Sequence, residues 1–209
     1  MLDIPSPIDL RRPDHAQEWA ETALQKRPWR PQFFQHFVQD IQALPSAHAL
    51  HILELGSGPG FLLKELLGNL PQHRYTALDF SQAMHDLARE RLGEQAQHVS
   101  FLVRDFKQDD WFNGLTDIDV VVTNQAVHEL RHKRHAPILH ARVRQLLKPQ
   151  GIYLVCDHFA GTHEGQQGMQ NNELFMTVEE QQQALAAGGF NQVKALLCQG
   201  SLMLWRAYK

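Results

Sequence analysis

Five strand-length runs, apolar along both alternating faces, are separated by amphipathic helical runs, and this alternation leaves few folds open. The runs are "HALHILEL", "RYTALDF", "VSFLVRD", "DIDVVVTN" and "IYLVCDHF". Between them lie "FLLKELLGNL", "SQAMHDLARERLG" and a helix ending in "LL" before "KPQG". A strand that is apolar on both faces must be covered on both, so the pattern predicts a parallel sheet with helices on either side. The end of the chain breaks the alternation. After the helix "TVEEQQQALAAGGF" come "NQVKALLC" and "SLMLWRAYK", separated only by Gln199 and Gly200. A link this short cannot make a parallel crossover, so these two runs pair antiparallel. The expectation is an α/β fold: a doubly wound, mostly parallel seven-stranded sheet ending in an antiparallel hairpin. Residues 47–209 form that domain, and residues 1–46 read as an N-terminal helical cap, helical over 14–27 and 31–44.

Composition narrows the classes of function. At 209 residues and 43% hydrophobic, the chain is long enough and apolar enough to bury a core. A formal charge of −3 leaves no basic footprint for nucleic acid or for an anionic membrane. The longest apolar runs fall short of the roughly 20 residues a membrane span needs. The opening "MLDIPSPIDLRRPDH" lacks the apolar core of a signal peptide. Cys156 and Cys198 sit in apolar runs, as buried thiols of a reducing compartment do, so the expected location is cytoplasmic. Most of the 13 histidines are expected to titrate on the surface.

Directly behind the first strand lies "ELGSGPG", with Gly56, Gly58 and Gly60 at every second position. In a doubly wound sheet the ligand sits beyond the carboxyl ends of the strands, usually on the first strand's turn. A dinucleotide fingerprint would need a third small residue where this chain has Phe61, and Glu54 would repel a pyrophosphate. A cationic ligand without phosphate suits the loop better than NAD does, which disfavours a nicotinamide oxidoreductase.

The loop resembles the first motif of the class I S-adenosylmethionine-dependent methyltransferases, acid-x-G-x-G-x-G, and the resemblance continues in register over residues 48–209. Asp79, in "ALDFS", stands 19 residues after Gly60, where the family carries a carboxylate for the two ribose hydroxyls. Its alternative role is a helix N-terminal acid beside Ser81. "RDF" resembles the motif whose acid, here Asp105, takes the adenine amino group, though Asp105 could equally cap a turn. "LLKPQGIYLV" matches the family's entry into its fifth strand. The resemblance implies a Rossmann-like fold, S-adenosylmethionine as cofactor and S-adenosylhomocysteine as product. It implies cofactor binding by Glu54, Gly56, Ser57, Gly58, Gly60, Asp79, Phe80, Asp105, Phe106, Asn124 and Gln125. It implies no metal.

Transfer from a sulfonium needs alignment and, for an oxygen nucleophile, removal of a proton. The exit of the fourth strand, "TNQAVHELRHKRH", faces the methyl group in this family, and small-molecule O-methyltransferases carry a His-Asp pair there. This chain has His128 followed by Glu129. Histidine suits the base role because its ordinary pKa is near 6.5. A packing role below the pocket is the alternative. Asp157-His158, at the exit of the fifth strand, is a second candidate pair, with His158 as the base. The loop "AGTHEGQQGMQNNELF" has the length of a lid. The run "HELRH" also matches a zinc-protease pattern, which would need to lie within a helix. The Pro-Pro-aromatic signature of nucleobase amine methylation is missing from "TNQAV". The reading is a small-molecule methyltransferase acting on oxygen. N- or C-methylation and a non-catalytic cofactor-binding module are the alternatives. The expected partner is a small-molecule acceptor, with no nucleic acid or membrane, and the chain is a monomer or homodimer.

Overall fold

The computed structural model describes residues 2–209. Among the described residues the chain divides into two compact units, Pro7–Trp111 and residues 2–6 with Phe112–Lys209.

The first unit begins with helices α1 (Pro13–Lys26) and α2 (Arg30–Gln42). Each has proline in its first turn, where the missing amide hydrogen is no loss. In α1, Ala16, Ala20 and Ala23 make a narrow buried stripe; in α2, Phe33, Phe34, Phe37, Val38 and Ile41 make a broad one. Strand β1 (His51–Leu55), helix α3 (Phe61–Asn69), strand β2 (Arg74–Asp79), helix α4 (Gln82–Leu92) and strand β3 (Val99–Val103) follow. β1 and β3 both run parallel to β2. Ser81 caps α4 by accepting from the Met84 amide at 3.1 Å, and Gly93, at φ +56°, ends it. Ala16 of α1 packs against Ala83 and Met84 of α4.

The second unit contains strand β4 (Ile118–Asn124), helix α5 (Ala136–Leu146), strand β5 (Leu147–His158) and two short strands, β6 (Thr162–His163) and β7 (Gln166–Gln167). Helix α6 (Val178–Ala187) and strands β8 (Gln192–Gln199) and β9 (Leu202–Tyr208) complete it. Val120, Val121 and Val122 of β4 are wholly buried, as a strand covered on both faces requires. β4 and β5 are parallel, while β9 runs antiparallel to both β5 and β8. Helix α6 opens with a reciprocal cap: Thr177 accepts from the Glu180 amide, and Glu180 accepts from the Thr177 amide.

Among the described residues the strand order is β3-β2-β1-β4-β5-β9-β8, a seven-stranded, mostly parallel sheet with the expected terminal hairpin. β5 starts earlier than its apolar run. "LKPQ" is already extended, and a Cβ on Gly151 would come within 3.0 Å of the Asp119 carbonyl oxygen. No helix among the described residues is long and apolar enough to cross a membrane.

Candidate active site

The glycine loop leaves β1 with Gly56, Gly58 and Gly60 all in the left-handed region, at φ +67°, +53° and +76°. The amides of Gly56 and Ser57 donate to the Leu78 carbonyl, at 2.8 and 3.1 Å, and the Gly58 amide donates to Asp79 Oδ2 at 2.8 Å. The glycines serve different ends. A Cβ on Gly60 would meet the Ala88 Cβ at 3.0 Å and its Cα at 3.2 Å, so Gly60 lets the loop pass close to α4. A Cβ on Gly58 would meet nothing within 4 Å. That glycine lines open space, as a cradle for a ligand does.

Asp79 is buried, and its other oxygen accepts from the Ser81 amide at 2.9 Å. It therefore ties the glycine loop to the start of α4, the helix-terminal role weighed for it above. Glu54 is buried, and Oε2 has no hydrogen-bond partner among the described residues. Burial, and then the neighbouring Asp79, push the Glu54 carboxyl well above its ordinary pKa. This weakens the repulsion argument against phosphate, because a raised pKa favours the uncharged carboxyl. The buried orphan oxygen and the open space at Gly58 fit a ligand carrying a hydrogen-bond donor or a cation.

Ser57 turns to α4, where its Oγ is 3.3 Å from His85 Nε2. Burial, and then Arg89, lower the His85 pKa to about 4, so this ring is a neutral partner. Nothing in the sequence marked it. Phe80 lies under the Arg11 guanidinium, 4.6 Å from its ring centroid. Asp105 accepts from the Lys107 amide at 3.0 Å and forms the turn for which it was the alternative candidate. Phe106 is buried.

In the second unit, β4 ends at Asn124, whose Oδ1 is buried without a hydrogen-bond partner among the described residues. Gln125 follows at φ +58°, rare for a residue with a side chain, and its amide donates to the Cys156 carbonyl at 2.7 Å. The turn Val127–Leu130 then sets His128 against Asp157. The His128 amide donates to Asp157 Oδ2 at 2.8 Å, and Nδ1 is 2.6 Å from Oδ1. Glu129 Oε1 is 3.4 Å from Nε2. Burial pulls the His128 pKa down, but the charges and hydrogen bonds of Asp157 and Glu129 outweigh it and carry it up to about 10.

His158 takes a different place. Its amide also donates to Asp157 Oδ1, at 2.7 Å, while its Nδ1 is bonded to Ser201 Oγ at 2.8 Å. Asp157 thus holds the His128 ring directly, and the His158 residue through its amide. The two rings lie 5.4 Å apart, and Phe175, from the expected lid, packs on both at 5.5 and 5.8 Å. The "HELRH" pattern does not form an α-helix. Its turn is four residues of 3-10 helix, stopped by Arg131 at φ +66°, and His132 Nε2 is 3.0 Å from Glu173 Oε2. His128 and His132 therefore share no helical face.

Comparison with known proteins agrees with this architecture. Residues 53–153 match the family described as "Methyltransferase domain". Over 109 residues the chain is 30% identical to the reducing polyketide synthase Preu2 of Preussia isomera, covering 51% of this chain and 4% of that protein. Over 69 residues it is 38% identical to a malonyl-[acyl-carrier protein] O-methyltransferase of Acetivibrio thermocellus, covering 33% of this chain and 24% of that one. The chain thus spans a small part of these curated relatives. The solved C-methyltransferase (CMeT) domain of the citrinin polyketide synthase superimposes with a TM-score of 0.70 at 19% identity, over 91% of this chain and 56% of that one.

Fold and family profile point the same way: the Rossmann-like sheet carries, over residues 53–153, a match to a methyltransferase domain. The cofactor of that family is S-adenosylmethionine.

Proposed function

We propose that this chain transfers a methyl group from S-adenosylmethionine to a small molecule, with His128 as the general base for an oxygen nucleophile. The bound cofactor supplies an electrophilic methyl on a sulfonium. In this reading Glu54, Gly56, Ser57, Gly58, Gly60, Asp79, Phe80, Asp105, Phe106, Asn124 and Gln125 hold it. Asp79 takes the ribose hydroxyls, while Phe80 and Asp105 take the nucleobase. The buried Glu54 suits the cationic methionine end.

The 2.6 Å bond from His128 Nδ1 to Asp157 carries the assignment of the base. It fixes the ring and leaves Nε2 to meet the acceptor's proton. Glu129, beside Nε2, helps to stabilise the imidazolium that results. His158 is the weaker candidate, because its Nδ1 is engaged by Ser201 Oγ at 2.8 Å.

A carbon acceptor is the second reading, favoured by the resemblance to polyketide synthases and to the citrinin C-methyltransferase domain. The same base would then take a proton from a carbon flanked by carbonyls. Incubation with 13C-methyl-labelled cofactor and a panel of phenols, carboxylates and β-ketoacyl thioesters tests both. Product NMR separates O-methyl from C-methyl carbons. Label in no product, with cofactor bound, would favour the non-catalytic binding module. The acidic charge balance argues for a small-molecule acceptor over nucleic acid, and the two thiols for a cytoplasmic location.

A further inference from the structure

Within the Pro7–Trp111 unit, residues 9–12 cross the ends of β2 and β3. The segment is pinned there: Ser81 Oγ donates to the Leu10 carbonyl at 2.5 Å, and the Leu10 side chain packs on Ala16, Ala83 and Met84. Asp9 Oδ1 accepts from the Arg11 amide at 3.1 Å and fixes the turn. Arg11 then lies with its guanidinium over the Phe80 ring, 4.6 Å from the centroid, and Nη2 is 3.6 Å from Asp105 Oδ2.

A guanidinium is flat, stacks on aromatic faces and presents N–H donors at its edge. Adenine offers the same two features, a flat ring and an exocyclic amino group. We propose that Arg11 is an intramolecular occupant of the nucleobase subsite, so that the cofactor's adenine and the Arg11 guanidinium compete for Phe80 and Asp105. This rests on the reading of Phe80 and Asp105 as nucleobase contacts. The occupant is weakly held. The Arg11 side chain is 59% exposed, and exposed ion pairs and cation–π contacts are individually small. Arg11 therefore tunes nucleoside affinity without blocking the site. Lys107 Nζ, 3.9 Å from the same carboxylate oxygen, is a second cation beside Asp105.

Calorimetric titration of S-adenosylhomocysteine into the wild type, Arg11→Ala and Arg11→Lys tests this. Arg11→Ala is expected to bind about three- to tenfold more tightly, and Arg11→Lys, with charge but no flat face, to fall between. At about 0.5 M salt, where exposed charges are screened, the gap should narrow. Equal or weaker binding by Arg11→Ala overturns the competition while leaving the cofactor reading intact. Binding by neither wild type nor Arg11→Ala overturns both.

Discussion

His128 and Asp157 are joined twice: the His128 amide donates to one carboxylate oxygen, and the ring Nδ1 is 2.6 Å from the other. A carboxylate held by the backbone of the residue whose ring it orients has little freedom to swing away. The pair is also nearly dry, with 17% of the His128 side chain and 6% of the Asp157 side chain exposed. The two hydrogen bonds fix the ring, and Asp157 with Glu129 raises its pKa against the opposing effect of burial.

Asp79→Ala should weaken S-adenosylmethionine binding by about 1.5–3 kcal/mol, the scale of hydrogen bonds to a charged group. The substitution also strips the Gly58 and Ser81 amides of their acceptor, so part of the loss comes through the loop. Asp79→Asn, which keeps one acceptor oxygen, should lose less. Unchanged affinity by calorimetry in a folded Asp79→Ala protein would remove Asp79 from the site.

Two glycines of one loop should fail in different ways. Gly60→Ala drives a Cβ into Ala88 and should lower the melting temperature. Gly58→Ala meets no atom and should cost only the strain of a left-handed backbone, about 1–2 kcal/mol, while impairing cofactor binding. Thermal melts with and without S-adenosylhomocysteine separate the two effects. A Gly58→Ala protein with the wild-type ligand shift would contradict this division of labour.

Burial, and then Asp79, raise the Glu54 pKa well above its ordinary value, so a cationic ligand arriving beside it should lower that pKa and release a proton. Titrations in buffers of different ionisation enthalpy count that proton. The released fraction should fall to near zero in Glu54→Gln. Equal proton release in wild type and Glu54→Gln would assign the ionisation elsewhere.

Much of this was legible in the chain. Uniform apolarity marked β1, β2, β4 and β5 as covered strands, and the two-residue link at Gln199 and Gly200 forced the hairpin. The spacing of Asp79 from the glycines is reflected in its bond to the Gly58 amide. The partner of His128 was harder to read. Adjacency suggested Glu129 for His128 and Asp157 for His158, whereas the shortest pair joins residues 29 apart in sequence. Parallel pairing of β4 with β5, in which Asn124 stands beside Cys156, brings these strand ends together, and no local pattern encodes it. The Ser57–His85 contact was hidden for the same reason. The Thr162–His163 and Gln166–Gln167 hairpin carries no alternating apolar signal at all.

The central claim, a base made by His128 and Asp157, is tested most directly by the pH dependence of methyl transfer in wild type and Asp157→Asn. The carboxylate raises the His128 pKa, so the neutral, proton-accepting form grows only as pH rises from the ordinary histidine value of about 6.5 toward 10. The wild-type rate at saturating cofactor should therefore climb across that window. In Asp157→Asn the limb should move down toward or below 6.5, and the plateau should fall as the ring loses its orientation. His128→Ala should lose the limb altogether, together with about 10²–10⁴-fold in turnover. Identical limbs in wild type and Asp157→Asn, or a loss under about tenfold in His128→Ala, would contradict the account and leave His128 as a packing residue.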